Sequence, residues 1–192
     1  MIAFTQALLF GSPYKGRLFG IDVDMTGYTS KMAKITHFFL ELFTQVKTHN
    51  LAHEFGHVVC IKSIAPTSQI ALTFSVGTGP GLRIRSDFDP LPSANLETIN
   101  ALVGPISSVV FARTKLILLK IFQNSIPLPL YFSMAAGSYG IIAMELFDAV
   151  SGAYKKNTTD FGYIARENRQ YLEATLTFFT LLCLNSVVES IS

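Results

Sequence analysis

Charged residues are scarce in this chain. They make up 15% of its 192 residues, against about 25% in an ordinary soluble domain. The net charge is only +2, and no basic stripe with interleaved aromatic residues is present, so nucleic acid is not an expected partner. The scarcity of charge, together with 49% hydrophobic residues and a mean hydropathy of +0.40, favours a membrane protein.

Cysteine is almost absent as well. Cys60 and Cys183 are the two cysteines of the sequence, and both lie in apolar segments with a helical pattern. Two isolated thiols favour buried free cysteines over a disulfide framework or a cysteine-ligated metal site. The apolar start of the chain, residues 1–11, has no basic region and no clear cleavage site, so we do not expect a signal peptide.

Histidine is sparse, but its distribution is informative. The four histidines (His37, His49, His53 and His57) all lie in the proline-free run from Lys31 to Ile64. This run has apolar residues at near-helical spacing, which predicts a helix. We expect His37 and His49 to be surface or packing residues of that helix.

The last two histidines belong to an HExxH sequence, His53-Glu-Phe-Gly-His57. Residues four apart share a helix face, so both imidazoles can reach one metal ion. Glu54 projects beside them, where it can hold a water molecule at the metal and take its proton. This arrangement is typical of zinc hydrolases and indicates Zn²⁺ as the cofactor.

The rest of the sequence predicts a mainly α-helical fold. Residues 67–86 alternate around a glycine-rich turn, which is typical of a small β-hairpin. Helices are expected over 31–64 and over 94–192, with a kink at Gly104-Pro105. The length suits a single domain spanning 1–192, with 1–30 as an N-terminal strand and turn region.

The long apolar stretches predict a membrane-embedded core of several helices. Asn124 to Met144 is uncharged and long enough to cross a bilayer. The preceding helix carries cationic residues at the ends of an apolar stretch, where their side chains can reach an interface. We therefore expect a multi-pass integral membrane protein in contact with the lipid bilayer. The alternative, in which 101–122 and 124–144 are core helices of a soluble or peripheral zinc enzyme, stays open.

A catalytic zinc site needs a third protein ligand and an open position for water. The distal candidates are carboxylates, because no histidine follows His57. Asp160 opens a predicted helix, whose N-terminal dipole favours the charged form of a carboxylate. Asp148 is the second candidate.

The chain resembles the site-2 protease family of intramembrane zinc metalloproteases (peptidase family M50). His53-Glu-Phe-Gly-His57 matches the HExGH form that this family favours, and Phe74-Ser-Val-Gly-Thr-Gly-Pro80 is similar to its Phe-Ser-Ile-Gly-x-Gly strand and turn. Val103-Gly-Pro-Ile-Ser-Ser108 resembles its Ala-Gly-Pro-x-x-Asn helix. Glu145-Leu-Phe-Asp148, followed by Asn157-Thr-Thr-Asp160-Phe-Gly162, resembles its Asn-Leu-x-Asn-x-x-Pro stretch and Asp-Gly ligand motif.

The resemblance implies a role for each matched residue. His53, His57 and Asp160 would bind zinc, and Glu54 would be the general base. The activity implied is that of a zinc metalloendopeptidase. Its substrate would be a peptide segment of a membrane protein, unwound before cleavage at the edge of the membrane.

Some positions depart from the family pattern. Ser108, Glu145 and Asp148 stand where the family usually has asparagine, and Ser151 stands where it often has proline. The family positions help to hold the substrate strand. A second alternative is therefore a non-catalytic membrane protein of this type, which keeps the motif and serves as a binding or scaffold protein.

Overall fold

Helices make up most of the described chain. The computed structural model describes residues 15–18, 21–24, 31–76, 82–88, 90–122, 128–155 and 159–191. The helices are α1 (Lys31–Ile64), α2 (Ala94–Ile121), α3 (Leu128–Lys155), α4 (Asp160–Glu167) and α5 (Leu172–Ile191), with a 3₁₀ turn at Arg169–Tyr171. The expected mainly α-helical fold is confirmed at this level.

The strands form two separate antiparallel pairs. β1 (Lys15–Leu18) pairs with β2 (Ile21–Asp24), and β3 (Ile70–Val76) pairs with β4 (Leu82–Phe88). β4 packs against α1, the helix that carries HExxH. The turn expected at 77–81 lies outside the described residues, as do 1–14 and 156–158, so the hairpin over 67–86 stays a prediction.

Side chains that satisfy the first free N–H groups mark where α2 and α4 begin. Ser93 caps α2 and accepts a hydrogen bond from the Leu96 amide at 3.3 Å. Thr159 caps α4 in the same way, accepting from the Gly162 amide at 3.3 Å. Serine and threonine are favoured at this position because their oxygens satisfy free N–H groups of the first turn. The cap at Thr159 makes Asp160 the first residue of α4.

α2 is the central helix of the bundle and packs against α1, α3, α4 and α5. The apolar core lies along its contacts with α3, α4 and α5. Phe161 of α4 and Phe179 of α5 meet there with ring centroids 5.2 Å apart, and both are fully buried. α4 therefore packs its apolar face against the core of the bundle, and Asp160 lies on the side of α4 that is near α1.

Two helices of the described chain are long and apolar enough to cross a membrane, namely Ala94–Ile121 with a mean hydropathy of 1.6 and Arg169–Ser190 with 1.4. Length and composition alone define this property, which a core helix of a soluble protein shares. The expected span at 124–144 begins outside the described residues and continues into α3. Pro105 lies inside α2, which continues through it as one helix.

Candidate metal centre

HExxH places its two histidines on the face of α1 that meets α2. His57 is buried and His53 is partly buried, and their ring centroids are 5.0 Å apart. The four-residue spacing gives this arrangement because one helical turn separates the two side chains. Glu54 follows His53 and is half-buried.

Asp160 completes a group of three metal-ligating side chains. Its Oδ2 atom lies 3.0 Å from His53 Nε2 and 3.7 Å from His57 Nε2. One ligand atom from each of the three residues lies within 4.8 Å of the others. Ligand atoms of a tetrahedral zinc site lie about 3.3 Å apart, given zinc–ligand bonds of about 2.0–2.1 Å. The donor set and its spacing fit a zinc ion.

Gly104 of α2 lets both histidine rings approach this helix closely. A Cβ atom at this position would lie 2.8 Å from His53 Nε2 and 2.6 Å from His57 Cε1, and it would overlap His57 Nε2. Those nitrogens are the atoms that face Asp160. The lack of a side chain at Gly104 thus allows both histidine rings to pack directly against α2.

The other nitrogen of each histidine has a partner that fixes the ring. His57 Nδ1 donates to the Asn100 carbonyl at 2.9 Å, and His53 Nδ1 lies 3.3 Å from Glu145 Oε1. A carbonyl or carboxylate on the far nitrogen sets the tautomer and leaves Nε2 for a metal. Both histidines therefore turn Nε2 towards Asp160.

The charges of the cluster shift the pKa of two of its members. Burial acts to lower the pKa of His53, but the Asp160 and Glu145 carboxylates outweigh burial and raise the pKa to about 10. Burial acts to raise the pKa of Asp160, but hydrogen bonds from His53 and His57 lower it to about 2. In the metal-free protein at pH 7 the pair consists of a protonated His53 and an ionised Asp160.

The structure distinguishes between Asp160 and Asp148, the two carboxylates that the sequence leaves as candidates for the third metal ligand. Asp160 joins the histidines, whereas Asp148 is exposed and is not part of the cluster that the described residues form. Glu145 lies one turn before Asp148 on α3 and contacts His53.

Sequence reasoning missed three features of the centre. The sequence analysis interprets Gly104 as part of a helix kink and Glu145 as a departure from a family pattern. It does not mention the Asn100 carbonyl. Each acts through a contact between helices that are far apart in the sequence. Glycine followed by proline in an apolar helix was the one local signal for a close helix approach.

Comparisons with protein-family models, curated proteins and solved structures give no match. The geometry of the centre therefore carries the functional argument.

Proposed function

We propose that the protein is a zinc-dependent endopeptidase of the intramembrane type, with His53, His57 and Asp160 as the metal ligands. The convergence of these three side chains is the observation that carries the proposal, since they come from α1 and α4, two helices that are distant in the sequence. A two-histidine, one-carboxylate set leaves one tetrahedral position open for catalysis. The order of motifs shared with the site-2 protease family supports the same reaction.

Glu54 is the general base in this proposal. When bound, a zinc ion would polarise the peptide carbonyl and bring the pKa of water from about 15.7 towards 7. Glu54 accepts the proton of the attacking water and passes it to the leaving amine. The Glu145 carboxylate and the Asn100 carbonyl contact the Nδ1 atoms of His53 and His57, respectively. These contacts orient the Nε2 atoms of both rings towards the metal position.

The membrane setting is supported by the outer surface of the helices. Large apolar side chains are exposed on α1, α2, α3 and α5, including Phe55 at 60%, Phe147 at 69% and Leu181 at 61%. Exposed apolar surface of this extent is typical of contact with lipid or another protein. With the two apolar helices that are long enough to span, it favours a multi-pass protein whose substrate is a membrane-protein segment.

Replacing the general base tests the reaction. In Glu54→Gln the side chain keeps its size but cannot accept a proton, so cleavage is expected to fall by about 10²-fold or more, while the zinc content stays at one ion per chain. Single-span model peptides, reconstituted with the purified protein in liposomes, would be analysed for new termini by mass spectrometry. Glu173→Gln, at the exposed start of α5, is the matched control.

Cleavage by Glu54→Gln at the wild-type rate would contradict the assigned base. Zinc bound at full stoichiometry, with no peptide in the panel cut by the wild type, would favour the non-catalytic alternative.

A further inference from the structure

The two histidines of the metal centre are held from behind by different kinds of group. His57 Nδ1 donates to the Asn100 carbonyl at 2.9 Å, and this carbonyl is a neutral group of the α2 backbone. His53 Nδ1 lies 3.3 Å from Glu145 Oε1, and it donates there because an ionised carboxylate can only accept. His53 is therefore the ligand whose orientation depends on a charged side chain from another helix.

Glu145 lies on the face of α3 that packs into the bundle. It follows Ile142 by three residues and precedes Ala149 by four, and residues at these spacings share a helix face. Ile142 and Ala149 are buried, with exposed fractions of 3% and 1%. The side chains of Glu145 and His53 are exposed by only 17% and 21%. The packing of α3 thus sets the contact, and salt screens it less than it would screen a surface pair.

The donor set of the centre does not neutralise a zinc ion by itself. Zinc binds histidine as a neutral imidazole and aspartate as a carboxylate, so His53, His57 and Asp160 would leave one positive charge on the bound site. A charge that is partly withdrawn from water is costly unless an opposite charge accompanies it. Glu54 takes up a proton in the proposed reaction, whereas the Glu145 carboxylate has no such role and stands directly behind a ligand.

Asp148, one turn further along α3, provides a comparison within the same helix. It is exposed, and the carboxylates that contact His53 in the described part of the chain are those of Glu145 and Asp160. Asp148 therefore carries a carboxylate near the centre without touching this ligand.

We propose that Glu145 is a positioning residue of the metal centre, whose carboxylate holds the His53 ring from α3 and offsets the positive charge of the ligand set. A hydrogen bond from Nδ1 to a carboxylate raises the basicity of a histidine ligand, so Glu145 makes His53 the stronger donor. It acts through His53 and touches no reacting atom. The inference rests on the proposed function, since it concerns the same centre.

Zinc affinity measures the two parts of this role separately. Glu145→Gln keeps the size of the side chain and an acceptor oxygen but removes the charge, and Glu145→Ala removes both. Competition of the purified full-length protein with a chelator of known zinc affinity gives the dissociation constants. We expect the affinity to fall about 10-fold in Glu145→Gln and about 100-fold in Glu145→Ala, the usual range for groups that support a histidine ligand. A wild-type affinity in Glu145→Gln would overturn the proposal.

Asp148→Asn is the matched control for Glu145→Gln. It removes the same charge from the same helix, one turn away and on the exposed side. The zinc affinity of this variant should equal that of the wild type. An equal fall of affinity in both variants would show a general effect of negative charge near the centre and would overturn the assignment to Glu145.

The visible absorption of the Co²⁺-loaded protein reports on the ligands themselves and not on the stability of the fold. Co²⁺ serves as the probe because its absorption bands depend on the donor strength of the groups that bind it. Loss of the charge behind His53 weakens this donor, so we expect the bands to shift in Glu145→Gln and to stay in place in Asp148→Asn. A lower affinity with unmoved bands would make Glu145 a structural residue and overturn the proposal.

The outcomes separate this inference from the proposed function. A wild type that binds no zinc would contradict both. A wild type that binds zinc, with the same affinity in Glu145→Gln, would overturn the role of Glu145 alone. Zinc binding that weakens as expected, in a protein that cleaves no membrane peptide, would support the role of Glu145 and contradict the proposed reaction.

Discussion

Gly104 is the residue on which the positions of the two histidine rings depend most directly. Its hypothetical Cβ would stand 2.8 Å from His53 Nε2 and would overlap His57 Nε2. A methyl group at this position would push both histidine rings away from their places, and a zinc ion needs both nitrogens within about 2.0–2.1 Å.

We therefore expect Gly104→Ala to lose bound zinc almost completely, as measured by plasma mass spectrometry of the purified chain. Gly140→Ala is the control, because a Cβ at position 140 of α3 would meet no atom within 4 Å. Its zinc content should equal that of the wild type. Stoichiometric zinc in a folded Gly104→Ala variant would show that the ion lies elsewhere.

The proton on His53 sets the pH dependence of the metal-free centre. Its pKa of about 10 lies above the ordinary value of 6.5, so the stabilisation from the His53–Asp160 pair is complete below pH 6.5 and is lost as pH rises through 10. The pKa of Asp160 is about 2, below the ordinary value of 3.8. The stabilisation that its carboxylate contributes is therefore lost as pH falls through 2.

A zinc ion at this site would have to displace the proton of His53, because the metal binds the neutral imidazole. We expect binding at pH 7 to release about one proton per ion, and the affinity to rise as pH increases towards 10. Calorimetric titration in two buffers of different ionisation enthalpy measures the released protons. Zinc binding at full stoichiometry without proton release at pH 7 would contradict the protonation state that we assign to His53.

At the scale of elements, the position of α4 decides whether Asp160 reaches the histidines. Asn168, directly after α4, is buried and donates to Thr98 Oγ1 at 2.9 Å and to Asn95 Oδ1 at 3.2 Å. Tyr163 of α4 donates to Glu97 of α2. Both contacts tie α4 to the first turns of α2 without touching a metal ligand.

Asn168→Ala should loosen this attachment. The loss of a buried hydrogen-bonding side chain costs about 1–3 kcal/mol of stability. We expect zinc affinity to fall about 10-fold, because about 1.4 kcal/mol less free energy for holding α4 in place corresponds to a factor of ten. Competition with a chelator of known zinc affinity measures the second quantity. Asn185→Ala is the matched control, since Asn185 is exposed and bonds to Glu189 within α5. Equal zinc affinities in the two variants would mean that α4 is held by other contacts.

The sequence predicted those elements whose signals are local. Apolar spacing and the absence of proline predict α1, and the sequence analysis places the start of α4 at Asp160, where the structure has it. The contact of Gly104 with His53 and the contact of Glu145 with His53 could not be predicted, because they depend on how α1, α2 and α3 pack. One sequence contains no direct signal for such distant pairs.

At the scale of the whole molecule, a polar metal centre lies among helices that expose many apolar side chains. Exposed apolar side chains lie on the same helices that carry the centre: Phe55 is exposed one residue after Glu54, and Phe147 two residues after Glu145. A bilayer would cover such side chains at little cost, because apolar groups leave water when they contact lipid. The polar cluster would then remain inside the bundle.

Zinc content is the most direct test of the central claim that His53, His57 and Asp160 form one metal site. The wild type, Asp160→Ala and Asp148→Ala would be purified from the membrane fraction with detergent and from the soluble fraction without it, and zinc would be counted per chain. We expect one ion in the detergent-extracted wild type and in Asp148→Ala, and almost none in Asp160→Ala. A wild type without zinc, or zinc retained in Asp160→Ala and lost in Asp148→Ala, would contradict the claim.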